Sequence, residues 1–314
     1  MIKITIIGTG NVGSTIAYSL TILGTAAEIV MIDLNDKKAD GEAIDIRQGT
    51  PFTNPCSIYA GTYADAVDSD IVIITSGIPR RPDQTRLDLA QVNVDMLRVI
   101  TPEIVKYAPN ATYLLVSNPV DILTYAFCKF SGLPHARVIG SGTILDTSRL
   151  RTRLSEIYSL NQHNVHAYVL GEHGDSSLIP WSLVNISNVR IEDFHRCCND
   201  KNNPFPVFVT SEVEDYVHRS GTRVIERKGA TYYAVSVSVC HICKCLLGGM
   251  DTTLTVSTML NGEYGIDDVC MSLLNVVGRK GAHSKILLPL TDFELSQLRS
   301  SADRLKEVIK SVKI

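Results

Sequence analysis

The sequence predicts an α/β protein with a doubly wound parallel sheet of the Rossmann type, followed by a second domain of the α+β class. In the first half of the chain, short apolar runs rich in Ile and Val alternate with helical patterns. A glycine-rich turn joins the first run to the first helical pattern. The second half has long helical stretches and then runs typical of antiparallel strands. We place the domain boundary near residue 140, which gives domains of residues 1–140 and 141–314, although no linker marks it.

The first half predicts strands at residues 2–7, 28–32, 71–75 and 113–117, because these runs are apolar and are bounded by Gly, Asp or Asn. Helical patterns lie at residues 12–23, 36–47, 87–107 and 120–130. The second half predicts helices at residues 144–158, 205–226, 231–247 and 292–310, and strands at 165–170, 252–259, 269–277 and 285–290. A capping box, Thr291-x-x-Glu294, marks the start of the last helix.

Composition and charge exclude several classes of protein. The 314 residues include 30 basic and 33 acidic side chains, and the net charge of −3 does not suit a nucleic-acid binder. No apolar run reaches the ~18 residues that a membrane span needs. The N-terminus alternates like a strand and has no signal-peptide pattern. We therefore expect a cytoplasmic protein with neither nucleic-acid nor membrane partners.

The eight cysteines are too sparse for a disulfide scaffold. The segment Cys240-His241-Ile242-Cys243-Lys244-Cys245 raises the question of a metal site. Cysteines at i, i+3 and i+5 of a helix do not share one face, and zinc sites usually draw on a second ligand pair elsewhere. We interpret these cysteines as free thiols and expect no metal site.

The glycine-rich turn reads Gly8-Thr9-Gly10-Asn11-Val12-Gly13 and matches the pattern Gly-x-Gly-x-x-Gly between a strand and a helix. The first glycine permits a tight turn, the second lets a pyrophosphate approach the backbone, and the third lets the helix pack on the strand. Unpaired N–H groups at the helix N-terminus favour an anion there. This pattern predicts a dinucleotide site.

Asp33 ends the second strand, twenty residues after Gly13. A carboxylate there can accept hydrogen bonds from the adenosine ribose and would repel a 2′-phosphate, which favours NAD over NADP. The alternative is an aspartate that only caps the next helix.

Asn118 lies at a later strand end. It could bind the nicotinamide ribose or the substrate, or it could be an ordinary turn residue before a proline.

His173 lies on a predicted turn in Gly171-Glu-His-Gly-Asp175, where we expect it to be exposed. A histidine exchanges protons near neutral pH, so it is a candidate acid/base, and a surface turn residue is the alternative. Asp146 and Arg149 are three residues apart on one helix face and could form an exposed salt bridge. In the more specific, catalytic hypothesis, Asp146 accepts a hydrogen bond from His173, and Arg149 binds a carboxylate through two parallel hydrogen bonds.

Residues 76–88 predict a loop with two prolines and three arginines, namely Arg80, Arg81 and Arg86. It is either a lid over the sheet or a solvated basic loop.

The sequence resembles the NAD-dependent lactate/malate dehydrogenases nearly end to end. The motifs that carry this resemblance are GTGNVG with Asp33, RPDQTRLDL, VSNPVD, IGSGTILDTSRLR, GEHGD followed by PWS, and KGATYY. Within that family, the sequence is more similar to the bacterial lactate-type members.

The resemblance implies a reversible, NADH-dependent reduction of pyruvate to L-lactate in glycolysis and fermentation. It makes His173 the acid/base and Asp146 its orienting partner. It also implies that Arg86 polarises the ketone, and that Arg149 binds the substrate carboxylate. Asn118 would contact cofactor and substrate, and Thr231 would line the pocket. We further expect the cofactor to touch Thr75, Ser76 and Gly77. A remote alternative is a non-catalytic NAD-binding protein, since fold alone does not prove function.

Arg80 departs from the lactate-type pattern. Pyruvate-reducing members often carry Gln at this position, whereas Arg there can pair with the second carboxylate of oxaloacetate. A malate dehydrogenase is therefore the main alternative. Asp83 stands where the family usually has Gly, and it could pair with Arg80 or Arg81, although an exposed pair contributes only about 0–1 kcal/mol.

Arg151 points away from Arg149 on the helix, and His166 faces away from its neighbours on its strand. The two positions match the pair that binds fructose 1,6-bisphosphate between subunits in allosteric bacterial relatives. The alternative is a surface arginine and a strand histidine with local partners. The resemblance also implies a homo-oligomer, usually a tetramer and sometimes a dimer.

Overall fold

The computed structural model describes residues 1–78, 86–197 and 205–314. The strands in this part of the chain are β1 Lys3–Ile7, β2 Glu28–Ile32, β3 Ser57–Ala60, β4 Ile71–Ile74, β5 Thr112–Leu115, β6 Val138–Gly140, β7 Val165–His166, β8 Asn185–Ile186, β9 Val189–Arg190, β10 Thr252–Asn261, β11 Asp267–Gly278 and β12 Gly281–Ile286. The helices are α1 Asn11–Ile22, α2 Asp36–Gln48, α3 Arg86–Tyr107, α4 Val120–Ser131, α5 Ile144–Tyr158, α6 Ile191–Phe194, α7 Thr210–Lys228, α8 Tyr233–Leu247 and α9 Asp292–Ser311.

Among the described residues, nine strands form one sheet in the order β12-β11-β10-β6-β5-β4-β1-β2-β3. The six strands from β6 to β3 are parallel, and β10, β11 and β12 join antiparallel. The α/β fold class is thereby confirmed. The junction lies where Gly140 of β6 pairs with Ser257 of β10, so the sheet runs across residue 140. The division into domains 1–140 and 141–314 stays a prediction.

Helices cover both faces of this sheet, as a doubly wound fold requires. Ile4 and Ile6 of β1 pack on one face in a core shared with α1 and α8, whereas Ile7 belongs to the opposite core, shared with α3, α4 and α9. This alternation follows from the two-residue period of a strand. A third core lies around α5, α7 and the small sheet β7-β8-β9. The apolar runs of the sequence thus became strands buried on both sides.

Several predicted elements differ from the observed ones. Strands β3 and β6, which have four and three residues, were not predicted. The expected strand at 165–170 pairs as a ladder only at Val165–His166, and Leu170 forms an isolated bridge to Leu178. The helix expected from residue 205 begins only at Thr210, and Pro206 disfavours helical backbone at Phe205.

The capping box of α9 is confirmed. The backbone N–H of Thr291 donates to Oε2 of Glu294 over 2.9 Å, and the N–H of Glu294 donates to Oγ1 of Thr291 over 3.3 Å.

Cys240 and Cys243 lie buried against the sheet in α8. Within residues 1–78, 86–197 and 205–314, no group of His, Cys, Asp and Glu is arranged to hold a metal ion. In the same ranges, no helix is long and apolar enough to cross a membrane.

Candidate active site

The glycine-rich turn has the geometry that a dinucleotide needs. Gly8 has a φ of +98°, and a Cβ there would lie 2.7 Å from the backbone nitrogen of Ser76. A Cβ on Gly13 would lie 1.9 Å from the carbonyl oxygen of Gly8, so only glycine lets α1 pack so closely. At Gly10 nothing lies within 4 Å of an added Cβ. The open space beside Gly10, at the N-terminus of α1, is where a pyrophosphate can approach the backbone.

Asp33 holds the same turn from the end of β2. Its Oδ2 accepts the backbone N–H of Thr9 over 2.7 Å, and its Oδ1 accepts the N–H of Asn35 over 3.0 Å. Burial by itself would raise the pKa of Asp33, but these hydrogen bonds and the charge of Lys38 hold the pKa below its usual value. The side chain is therefore an anion at neutral pH, with acceptor capacity left for ribose hydroxyls.

A cavity of about 670 Å³ opens beside Asp33 and the glycine turn. Its size lies within the range of about 300–1,000 Å³ that is common for ligand pockets. The predicted cofactor residues that line it are Gly8, Gly10, Asp33, Thr75, Ser76 and Gly77. Thr75 also donates its hydroxyl to the carbonyl of Gly8 over 2.8 Å, which ties β4 to the turn. Asn11 and Val12 begin α1, with Val12 packed against the core. These features fit a nicotinamide–adenine dinucleotide.

Asn118 lies at the end of β5, before a cis peptide bond to Pro119. Its carbonyl accepts from Nδ2 of Asn93 over 2.9 Å, and Oδ1 of Asn93 accepts the N–H of Ile78 over 2.9 Å. Asn93 is a buried residue of α3 that the sequence analysis missed. One amide thereby joins the strand ends after β4 and β5, at the edge where parallel α/β sheets bind ligands.

His173, Asp146 and Arg149 form one connected group. Nδ1 of His173 lies 2.5 Å from Oδ2 of Asp146, and Nη1 of Arg149 donates to Oδ1 of Asp146 over 2.8 Å. Helix α5 presents both charged residues on one face, as their spacing predicts. The salt bridge is not exposed, since the Asp146 side chain is only 8% accessible. The His173 side chain is 24% accessible, so the expectation of an exposed turn residue was wrong.

The pKa values in this group follow from its contacts. The charge of Asp146 raises the pKa of His173 above its usual value, and this outweighs the opposing effect of burial. Burial would raise the pKa of Asp146, but the charge and hydrogen bond of His173, together with the charge of Arg149, hold it below its usual value. The dyad thus favours an imidazolium beside an ionised carboxylate near neutral pH.

The loop that carries His173 is anchored from two sides. Gly171 exchanges two backbone hydrogen bonds of 2.9 Å with Ser272 of β11. The backbone N–H of Glu172 donates to Oγ of Ser301 in α9 over 3.0 Å. A histidine on a rigidly held loop keeps its ring orientation, which proton transfer requires.

The structure describes only some of the residues that are predicted to bind the substrate. Thr231 and Arg149 line one cavity of about 510 Å³ between α5 and the α7–α8 junction. Arg80, Arg81 and Asp83 lie outside the described residues. Arg86 is the first residue of α3. The helix thus begins within the segment 76–88 that the sequence predicts to be a loop, and the side chain of Arg86 lies outside the described part.

Arg151 and His166 line a different cavity, of about 600 Å³. Nε of Arg151 donates to the carbonyl of Ala167 over 3.0 Å, and its guanidinium lies 5.2 Å from the ring centroid of Tyr168. His166 is exposed between buried neighbours, as the strand pattern predicts. The two predicted effector residues thus line one cavity, and Arg151 also has local partners, as the alternative expects, so the effector site stays a prediction.

Comparisons with known proteins agree with this geometry. Residues 2–140 match the lactate/malate dehydrogenase NAD binding domain, and residues 143–314 match the lactate/malate dehydrogenase alpha/beta C-terminal domain. An L-lactate dehydrogenase of Thermoanaerobacterium saccharolyticum is 44% identical over 314 residues, which cover 100% of both chains. L-lactate dehydrogenase 1 of Clostridium acetobutylicum is 45% identical over 310 residues, or 99% of this chain and 98% of the relative.

Solved structures show the same likeness. The minor L-lactate dehydrogenase of Enterococcus mundtii, in a ligand-bound form, superposes with a TM-score of 0.93 at 36% identity, covering 100% of this chain and 99% of that one. MGS-M5, a lactate dehydrogenase from a Medee basin deep-sea metagenome library, gives a TM-score of 0.94 at 36% identity, covering 99% and 98%. The chain belongs to the lactate/malate dehydrogenase family, and it is an NAD-dependent oxidoreductase that acts on a CH–OH group.

Proposed function

We propose that this chain is an L-lactate dehydrogenase that reduces pyruvate to L-lactate and catalyses the reverse oxidation. The observation that carries the proposal is the hydrogen bond between His173 and Asp146, whose second oxygen binds Arg149. Reduction of a 2-oxo acid requires a proton donor for the ketone oxygen and a cation that binds the carboxylate, and this group of residues offers both. When NAD is bound, its nicotinamide ring accepts or supplies the hydride.

His173 is the proposed proton donor to the ketone oxygen and, in reverse, the acceptor of the hydroxyl proton. Its raised pKa favours the protonated form, and Asp146 orients the ring by holding Nδ1. Nε2 is then the nitrogen that exchanges the proton with substrate. Asp146 is a positioning residue that also stabilises the imidazolium.

Arg149 is proposed to bind the substrate carboxylate with guanidinium donors other than the Nη1 that Asp146 holds. Arg86 is proposed to stabilise the charge that develops on the ketone oxygen. Loss of a donor aimed at such a charge typically costs about 3–4 kcal/mol. Thr231 would bound the pocket beside Arg149, since both line one cavity. Asn118 is proposed to contact both cofactor and substrate at the end of β5.

Malate dehydrogenase is the second candidate, and Arg80 is the residue that favours it. A guanidinium in this loop can pair with the second carboxylate of oxaloacetate. The names of the relatives at 44–45% identity favour lactate. The deciding experiment measures NADH oxidation with pyruvate and oxaloacetate side by side. We expect a higher kcat/KM for pyruvate, and a higher value for oxaloacetate would reverse the assignment.

The variant Arg80→Gln refines that test. If Arg80 binds a second carboxylate, the variant lowers oxaloacetate turnover far more than pyruvate turnover. An equal effect on both substrates would remove Arg80 from that role. Activity with neither substrate in the unmodified chain would instead favour a non-catalytic NAD-binding protein.

We also propose that the chain acts as a cytoplasmic homotetramer in fermentative glycolysis, with fructose 1,6-bisphosphate as an effector. Arg151 and His166 share one cavity, which supports a phosphate site. The effector should raise the affinity for pyruvate at neutral pH. His166→Gln should abolish that response. The control His135→Gln, at an exposed position elsewhere, should keep it. An unchanged saturation curve in the unmodified enzyme would refute the effector site. Sedimentation analysis tests the tetramer.

A further inference from the structure

The carboxylate of Asp121 is buried beside the acid/base loop. Asp121 lies in the first turn of α4 and is 2% exposed. Its Oδ2 accepts the backbone N–H of His173 over 2.7 Å, and its Oδ1 accepts the hydroxyl of Ser257 over 2.6 Å. Across the described ranges, no salt bridge reaches this carboxylate. A buried carboxylate without a bonded cation is costly, so its place next to His173 calls for a function.

We propose that Asp121 is a second carboxylate of the acid/base site, a positioning residue that holds the backbone of His173 and whose negative charge adds to that of Asp146 in stabilising the imidazolium. The inference deepens the proposed function and rests on it. Asp146 holds the ring at Nδ1, and Asp121 holds the main chain of the same residue. His173 is thereby fixed at two points by two carboxylates.

The placement of Asp121 also joins three parts of the site. Asp121 follows Asn118 by three residues, so its helix begins at the strand end that faces the cofactor. Ser257 lies on β10, opposite Gly140 of β6, where a Cβ on Gly140 would be only 3.0 Å from Cβ of Ser257. The carboxylate therefore sets the acid/base loop relative to Asn118 through short contacts within a tightly packed junction.

The charged groups around Asp121 and His173 shift the pKa values of these two residues. Asp121 raises the pKa of His173 in the same sense as Asp146 of α5, whereas Arg149 of α5 lowers it. Glu172, on the loop itself, raises the pKa of Asp121. Cys270 of β11 also faces Asp121, and burial raises the pKa of its thiol so far that it stays neutral.

Burial raises the pKa of Asp121 to about 6, against the effect of its hydrogen bonds from Ser257 and the His173 backbone. Asp121 is therefore ionised at neutral pH and above, where His173 with its raised pKa exchanges its proton. The negative charge of Asp121 is therefore present near neutral pH, where the electrostatic part of the proposal acts.

The test is Asp121→Asn, which keeps the shape and an acceptor for the His173 N–H but removes the charge. Pyruvate reduction needs protonated His173 and declines as the pH rises through its pKa, whereas lactate oxidation needs the neutral form and declines as the pH falls through it. We expect both midpoints to move to lower pH by about one unit, since an adjacent charge is lost. The KM for pyruvate should change little, because Arg149 is untouched.

Thr258→Val is the matched control. It removes a buried hydroxyl from the neighbouring residue of β10, which donates its hydrogen bond to Asn275 rather than to Asp121. Its midpoints should equal those of the unmodified enzyme. Midpoints in Asp121→Asn that also stay in place would overturn the inference, even if kcat falls at every pH, since that pattern is expected of a purely structural residue.

A second variant keeps the proposal testable if Asp121→Asn does not fold. Ser257→Ala keeps the carboxyl group and removes one of the two hydrogen bonds that hold it. Because that bond lowers the pKa of Asp121, kcat is compared with that of the unmodified enzyme well above neutral pH, so that the carboxylate stays ionised. We expect kcat to fall by about threefold or more with NADH affinity unchanged, as a misplaced acid/base predicts, and an unchanged kcat would contradict the positioning role. An unmodified chain that reduces neither pyruvate nor oxaloacetate would refute the proposed function itself, a result distinct from unshifted midpoints in an active enzyme.

Discussion

Oδ2 of Asp146 and Nδ1 of His173 lie 2.5 Å apart, although 27 positions separate the two residues in the chain. Helix α5 carries the carboxylate, and a loop anchored to β11 and α9 carries the imidazole. The second oxygen of the same carboxylate binds Arg149 over 2.8 Å. One buried aspartate thus orients both the proposed proton donor and the proposed carboxylate binder.

Asp146→Asn should lower kcat for pyruvate reduction by about 100-fold or more. The substitution removes the charge that raises the pKa of His173 and lets the ring adopt the wrong tautomer. Steady-state assays at neutral pH measure the effect. Asp95→Asn, at a side chain that is 58% accessible on α3, should leave kcat unchanged. Near-normal activity of Asp146→Asn would show that the carboxylate does not tune the histidine.

The pH dependence should report the raised pKa of His173. Its usual value is 6.5, and the charge of Asp146 moves it upward. Pyruvate reduction should therefore be retained above pH 6.5 and decline only as the pH rises through the higher pKa, while lactate oxidation should increase over the same interval. Profiles of kcat/KM in both directions locate the midpoint. A common midpoint at or below 6.5 would be incompatible with an imidazolium stabilised by Asp146.

Gly13→Ala should destabilise the fold. Helix propensity alone favours Ala by about 1 kcal/mol. The added Cβ would lie 1.9 Å from the Gly8 carbonyl, a clash with backbone that we expect to outweigh that gain and leave a net loss of at least about 1 kcal/mol. Chemical denaturation measures the loss.

Gly10→Ala provides the complementary prediction. Nothing lies within 4 Å of an added Cβ at this position, so stability should be unchanged. The methyl group would occupy the space where a pyrophosphate approaches the backbone, and we expect NADH affinity to fall by about tenfold or more. Fluorescence titration measures it. Unchanged affinity would move the pyrophosphate away from this turn.

Asp33→Ser should relax the preference for NADH over NADPH. The variant removes the anion that would repel a 2′-phosphate, so the ratio of kcat/KM for NADPH to that for NADH should rise by about tenfold or more. Asp40→Ser, an exposed position on α2, is the control and should leave the ratio unchanged. A constant ratio in Asp33→Ser would mean that another group selects the cofactor.

Features with a local signature could be predicted from the sequence. The Gly8 turn, the spacing of Asp146 and Arg149, and the capping box of α9 each depend on residues a few positions apart. Such patterns have a direct physical meaning in one strand, turn or helix. For that reason the fold class and the position of the cofactor cavity followed from the sequence.

Features that depend on distant partners could not be predicted. Asp121 stood within a recognised motif, but its contacts to His173 and Ser257 span 52 and 136 positions. Asn93 joins Ile78 to Asn118 over 15 and 25 positions. Nothing near Asp121 or Asn93 in the sequence signals these bonds, because they form only when the sheet brings strand ends together.

The central claim is that His173 transfers the proton in a site that binds the cofactor independently, and His173→Ala tests it most directly. Pyruvate reduction and NADH affinity should be measured on the same preparation, by absorbance and by fluorescence titration. We predict a loss of turnover of about 100-fold or more with NADH affinity unchanged. Turnover within a few-fold of the unmodified enzyme would contradict the assignment and would place the acid/base at another residue.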